Sequence, residues 1–304
     1  PVVQQLYVYQ RTPIWIFPKP DTTIPESIQN VFSKLPMVQN GIRKLTDSIT
    51  ETVMVTGVVN YRQMPFIVKT LERACLQYLK SQVKDETLRK KLTPNYGFGC
   101  KRPSFSSNYY AAFNRPNVEL ITESIQEIIK DGIVTSDGKE RKIDTLIAAT
   151  GFNVMKDSNY LNYKLYGRNG AELGEFWGSN RLQAYQGCAV PNFPNFFIIF
   201  GPYSASGLSW FNMIEIQLQH MMRVLKEQQK RKAKIVEIKQ EAHDQYFQYM
   251  LKKQKDTVFY NNNCGGSNSY YFDKFGDAPF LRPLSVSKSK WYSEHSDLEH
   301  YEYE

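Results

Sequence analysis

The chain has 304 residues, enough for two domains with large cores, and its 41% apolar and 22% charged residues are those of an ordinary globular protein. The net charge of +8 fits nucleic acid, anionic lipid or a small phosphorylated ligand as partner. The densest basic run, Lys226 to Lys239, speaks against nucleic acid: it closes a helical pattern, where cations suit the macrodipole, and no aromatic side chain interleaves with it.

In chain order, Val2–Val3 and Leu6–Tyr9 predict a strand with no polar lead-in, ending in Gln10–Arg11–Thr12–Pro13. Pro13, Pro18 and Pro20 forbid a helix directly after it. From Ile24 to about Leu92 the pattern is helical, opened by Pro25 at a first-turn position and continued by the apolar face of Cys75, Tyr78 and Leu79. A loop rich in Gly, Pro, Ser and Asn runs from Thr93 to Asn117, and Val118–Ile121 predicts a strand.

Ile133–Thr135 and Lys142–Asp144 flank Ser136–Asp137–Gly138–Lys139, which predicts a hairpin. Thr145–Ala149 reads as a strand buried on both faces of a parallel sheet, stopping at Thr150–Gly151–Phe152. Residues 153–190 look irregular. Phe196–Phe200 reads as a second buried strand, ending at Gly201–Pro202. A helix is expected from about Leu208 to Gln228, with Phe211, Ile214, Leu218, Met221 and Leu225 on one face, and another from about Glu241 to Lys253. The last fifteen residues, charged and rich in Tyr, are expected to fray.

Cys75, Cys100, Cys188 and Cys264 are scattered without a CxxC, so neither a zinc site nor a dithiol redox motif is indicated, and unpaired cysteines suit a reducing cytoplasm. The four His residues show no HxxxH spacing, which argues against a catalytic metal. No apolar run approaches the ~20 residues of a membrane span. With no signal-peptide pattern at its start, the chain is expected to be cytoplasmic.

Three places carry chemistry. Arg11 after a buried strand can fork onto a phosphate, with the Thr12 hydroxyl beside it; the bland reading is a surface Arg. Tyr96–Gly97–Phe98–Gly99–Cys100–Lys101–Arg102–Pro103 is not a GxGxxG, because Arg stands where the third Gly would be. It is a Gly turn delivering two adjacent cations, set among Gly, Pro and aromatic residues that favour partial burial; the bland reading is a solvated basic turn. Thr150–Gly151 and Gly201–Pro202 each end a predicted buried strand, where open α/β sheets bind ligands, although ordinary βα-turn chemistry reads the same way.

Taken in order, Val8–Pro13, Thr93–Pro103, Tyr109–Tyr110 with Phe113–Val118, Ala148–Phe152, and Phe193–Asn195 with Gly201–Pro202 resemble the C-terminal part of the flavin-containing, Baeyer–Villiger-type (class B) monooxygenases. The resemblance runs from residue 1 to about 285 and is most specific at the Lys-Arg turn followed by Tyr-Tyr and Phe-Asn-Arg. It implies an α/β flavoprotein with two dinucleotide-binding domains, Rossmann-like for FAD and for NADP, and a helical insertion. Residues 1–143 would be the remainder of the NADP domain, with the insertion at 24–92. Residues 144–285 would be the C-terminal part of the FAD domain, and 286–304 a tail. The family's two Gly-rich loops do not occur inside the chain, so its N-terminal part is expected to be missing and the chain alone inactive.

On this resemblance Arg11, Thr12 and Lys101 would hold the 2′-phosphate of NADPH. Arg102 would be the catalytic arginine, a guanidinium that steadies developing negative charge without giving up its proton. Thr150, Gly151, Gly201, Pro202, Ser206 and Gly207 would face FAD. The expected reaction inserts one atom of O₂ into a small organic ketone. Oxygenation at nitrogen or sulfur, and a non-catalytic fragment that binds no flavin alone, are the alternatives. The loop that in many members carries a Trp over the nicotinamide reads here Asn263–Cys264–Gly265–Gly266–Ser267, so the sub-class is not specified.

Overall fold

The computed structural model describes all residues except 1, 20–22, 152–153, 155–160, 162 and 207–208. Its elements begin with strands β1 (Leu6–Tyr9) and β2 (Ile16–Phe17), then helices α1 (Glu26–Lys34) and α2 (Pro36–Met54), the latter running into a π-helical turn at Val55–Val59. Helices α3 (Pro65–Gln82) and α4 (Glu86–Leu92) follow, then β3 (Ser104–Phe105), α5 (Tyr109–Ala112) and β4 (Val118–Ile121). Strands β5 (Ile125–Ile129), β6 (Gly132–Thr135) and β7 (Glu140–Lys142) precede helices α6 (Leu173–Asn180) and α7 (Trp210–Arg231). The chain ends with β8 (Val236–Ile238), α8 (Gln240–Gln254), α9 (Val258–Asn261), α10 (Val286–His295) and β9 (Tyr301–Tyr303).

Two compact units divide these residues. The first holds 1–23, 69–152 and 263–268; the second holds 24–68, 153–262 and 269–304.

In the first unit β1 pairs with β4 in parallel, Leu6 opposite Val118 through Tyr9 opposite Ile121. Parallel neighbours need a long crossover, and the helical stretch between the two strands supplies it. The core here is Ile16, Leu79, Val83, Leu92, Tyr110, Phe113 and Leu120. The Tyr-Tyr and Phe-Asn-Arg motif therefore does structural work: Tyr110 and Phe113 are buried, Tyr78 packs on Tyr110 at 5.6 Å between ring centroids, and Asn114 Nδ2 donates to the Gln82 carbonyl at the end of α3. The predicted hairpin is present: β6 pairs antiparallel with β7, Thr135 and Lys139 closing the turn, and β5 adds a third strand.

The run Thr145–Ala149 is not a strand. It is irregular chain with Leu146 and Ile147 exposed, Ile147 to 81%. An apolar run becomes a strand only beside a hydrogen-bonding neighbour, and among the described residues β1 and β4 pair with each other and with nothing else.

The second unit is mainly helical. Its largest core gathers Tyr185, Cys188, Tyr203, Met221, Val224, Tyr246, Phe247, Met250 and Tyr301, and a smaller one surrounds Leu173, Trp177, Val190 and Phe193. Phe196–Phe200 is irregular chain ending in a turn rather than a buried strand, with Ile199 exposed and Phe200 at φ 64°. The C-terminal segment, expected to fray, is ordered: β9 pairs with β8, Ile238 opposite Tyr301, and Tyr301 is 1% exposed. The region 153–190, expected to be irregular, contains α6, whose Glu172 side chain caps its first turn by accepting from the Glu175 amide. Among the described residues no helix is long and apolar enough to cross a membrane, and no cluster of three His, Cys, Asp or Glu side chains could hold a metal.

Candidate functional site

The Gly turn at 97–103 is held from three directions within the first unit. Trp15 Nε1 donates to the Tyr96 carbonyl at 3.0 Å, and the Trp15 ring meets Phe98 edge-on at 5.9 Å. The Phe98 amide donates to a Glu72 carboxylate oxygen at 3.1 Å. Beyond the turn, β3 pairs in parallel with β2, and the Ser104 amide donates to the Trp15 carbonyl at 2.8 Å. Gly99 sits at φ 91°, a conformation that favours glycine and lets the chain reverse before the cations.

This scaffold places the turn beside the end of β1. Gln10 is fixed there by its amide on the Ile121 carbonyl and its side chain on the Lys91 carbonyl. Arg11 follows it and is exposed. Lys101 is half-buried, and its pKa lies below the ordinary 10.5, first because burial penalises the charge and then because the Arg11 guanidinium repels it. The two cations lie near enough to repel each other, and no carboxylate is among the groups that shift Lys101. Thr12 adds a hydroxyl that accepts from Asn268 Nδ2 at 2.7 Å. Arg102 is exposed and makes no hydrogen bond or ion pair among the described residues, so its five donors are available. The expected partial burial thus applies to Lys101 and not to Arg102.

A residue set that sequence reasoning missed adjoins this cluster. Cys100 and Cys264 are joined in a disulfide, 164 residues apart in the chain. The expectation of four unpaired cysteines fails, and only Cys75 and Cys188, both buried, are free. The Gly97 amide donates to the Asn263 carbonyl at 2.7 Å, and Asn263 Nδ2 reaches the Asn95 carbonyl at 3.3 Å. The only sequence signal was that each bonded Cys stands in a Gly-containing turn.

The expected flavin-facing residues are distributed differently. Thr150 and Gly151 belong to the first unit and are exposed; Gly151 has φ 86° and open space where a Cβ would stand. Gly201, Pro202 and Ser206 belong to the second unit and are buried or nearly so; Gly207 lies outside the described residues. At Gly201 a Cβ would lie 2.6 Å from the Gly187 carbonyl oxygen, so packing by itself requires glycine. Ser206 Oγ donates to Met213 Sδ at 2.9 Å.

Around Gly201–Pro202, Phe200 and Tyr203 both have positive φ, 64° and 57°, unusual for bulky residues. Neighbours over-determine that turn. Gln217 accepts from the Phe200 amide and donates to the Gly187 carbonyl, while the buried Arg282 donates to the Tyr203 and Gln186 carbonyls. Phe200 stacks on the half-exposed Trp210 at 4.1 Å between centroids.

No family model matches the chain. A Baeyer–Villiger monooxygenase of Pseudomonas aeruginosa is 35% identical over 272 residues, which cover 89% of this chain and 50% of that protein. A Baeyer–Villiger monooxygenase of Streptomyces coelicolor is 28% identical over 304 residues, 99% of this chain and 57% of its own length. Among solved structures, the OTEMO complex with FAD and NADP superposes with a TM-score of 0.77 at 21% identity, covering 99% of this chain and 62% of that one. The fold is therefore that of two-dinucleotide-domain flavoproteins, and the chain spans about half the length of the curated relatives it matches. In sequence and in fold, the chain is similar to a portion of the Baeyer–Villiger monooxygenases.

Proposed function

We propose that this chain supplies the 2′-phosphate grip and the active-site arginine of an FAD- and NADPH-dependent monooxygenase that inserts one atom of O₂ into a small organic ketone. The observation that carries this reading is the meeting of Arg11 and Lys101 beside Thr12, with Arg102 unengaged on the next residue. The charge balance of the cluster fits a dianionic phosphate, and the exposed Thr150–Gly151 turn fits close approach of a flat cofactor. On this reading residues 1–143 belong to the NADP domain and 144–285 to the FAD domain.

FAD, when bound, supplies the oxygen chemistry. Arg11 and Lys101 select the phosphorylated nicotinamide cofactor, and Thr12 orients the phosphate by a hydroxyl hydrogen bond. Arg102 holds a positive charge where negative charge develops.

Product analysis of the enzyme that contains this chain, with ¹⁸O₂, NADPH and a cyclic ketone or a thioether, tests the reading. A labelled lactone is expected. Sulfoxide formation with no lactone would refute ketone insertion and favour heteroatom oxygenation.

A further inference from the structure

The disulfide does more than close a loop. It ties Cys100, the residue before Lys101–Arg102, to the 263–268 segment, whose other end reaches Thr12 through Asn268. The segment is also pinned by the Gly97–Asn263 hydrogen bond before Cys264 and by burial of Ser267 to 1% exposure. Asn268 holds φ 47°, a conformation asparagine tolerates better than most residues, and this aims its amide along the Thr12 side of the site. One short segment therefore braces both halves of the cation cluster, and a single covalent bond anchors it.

We infer that the Cys100–Cys264 disulfide is a redox-sensitive fastener of the Arg11–Thr12–Lys101 anion site, holding the cations at phosphate-binding separation when oxidised and releasing them when reduced. The inference rests on the phosphate reading given above. The bond opens by exchange with a dithiol: two electrons and two protons turn the Sγ–Sγ bond into two thiols, and the dithiol becomes a cyclic disulfide. Cys264 is half-buried and Cys100 fully buried, so Cys264 is the more open partner to attack. Once the bond is broken, the covalent anchor beside Lys101 is lost while the Gly97–Asn263 and Asn263–Asn95 hydrogen bonds stay at the start of the turn, and the repulsion of Lys101 by Arg11 favours their separation.

The test titrates adenosine 2′,5′-bisphosphate and, separately, 5′-AMP into the 304-residue chain by calorimetry. The chain is used oxidised, reduced with dithiothreitol, and as the Cys100→Ser/Cys264→Ser variant. Intact mass after alkylation under denaturing conditions counts two free thiols in the first state and four in the second. Binding of the bisphosphate is expected to weaken at least tenfold on reduction and in the variant, with 5′-AMP changing less than twofold. Equal bisphosphate affinity in the oxidised and reduced chains would overturn the inference. If the double variant does not fold, the reduced wild-type chain decides.

If the oxidised chain does not distinguish the two nucleotides, the phosphate reading itself falls, and amide exchange then judges the fastener. The Gly97 amide, which reports the link to Asn263, should exchange at least tenfold faster after reduction; an unchanged rate would remove the fastener as well.

Discussion

The Arg11 guanidinium repels the Lys101 ammonium, and on the proposed reading this gives the Lys101 titration a functional sign. On the proposed reading Lys101 attracts phosphate only while charged, and its pKa is depressed by burial and by Arg11. NADP⁺ affinity should therefore fall as pH rises through a value below 10.5, earlier than an ordinary lysine allows. Lys101→Arg, which stays charged, should abolish that alkaline loss, and an unchanged pH profile in this variant would take Lys101 out of the site. Arg11→Ala should raise the KM for NADPH about 10- to 100-fold, matching the ~1.5–3 kcal/mol of a lost hydrogen bond to a charged group, with little effect on NADH. Equal effects on both cofactors would remove the 2′-phosphate assignment.

In the second unit, His220 is buried between Tyr301 and Ser296, with its pKa pushed down to about 3 by desolvation. The unfolded chain takes up a proton near 6.5 while the folded chain resists it. Stability present above pH 6.5 is thus lost progressively as pH falls towards 3. Urea midpoints at pH 7 and 4.5 should differ, and less so in His220→Gln.

At the level of elements, the readable ones carried their own pattern. The strand at Leu6–Tyr9, the Asp137–Gly138 hairpin and the long helix α7 follow from local alternation, turn chemistry and helical spacing. Thr145–Ala149 and Phe196–Phe200 did not follow, because an apolar run records a tendency to be covered and not the presence of a ladder partner. The terminal segment misled in the opposite sense. Its charges are real, yet Tyr301 alternates inward and joins the core of the second unit. Removing that ring in Tyr301→Ala should cost about 3–5 kcal/mol, as for other buried aromatic truncations, read from the urea midpoint; an unchanged midpoint would mean that β9 is dispensable.

At the candidate site the cationic positions stood out in the sequence, at a strand end and after a Gly turn, although a surface Arg and a solvated basic turn read the same way. Their neighbour Asn268 and the Cys100–Cys264 bond did not, because pairing across 164 residues leaves no local trace. In the chain-entropy account, closing a loop of that length stabilises the folded chain by about 5 kcal/mol.

For the whole molecule, the residues of the proposed site fall in two units. The first holds Arg11, Thr12, Lys101, Arg102, Thr150 and Gly151; the second holds Gly201, Pro202 and Ser206 in a turn whose positive φ values are locked by Gln217 and Arg282. The chain covers 50% and 57% of the two Baeyer–Villiger monooxygenases compared above. Arg102 tests the central claim most directly, because it separates oxygenation from cofactor binding. In Arg102→Ala of the enzyme containing this chain, stopped-flow spectroscopy with NADPH should still show flavin reduction, while lactone yield from a cyclic ketone falls about 10²- to 10³-fold, the range for loss of one charge-stabilising donor. Wild-type lactone yield in that variant would contradict the account.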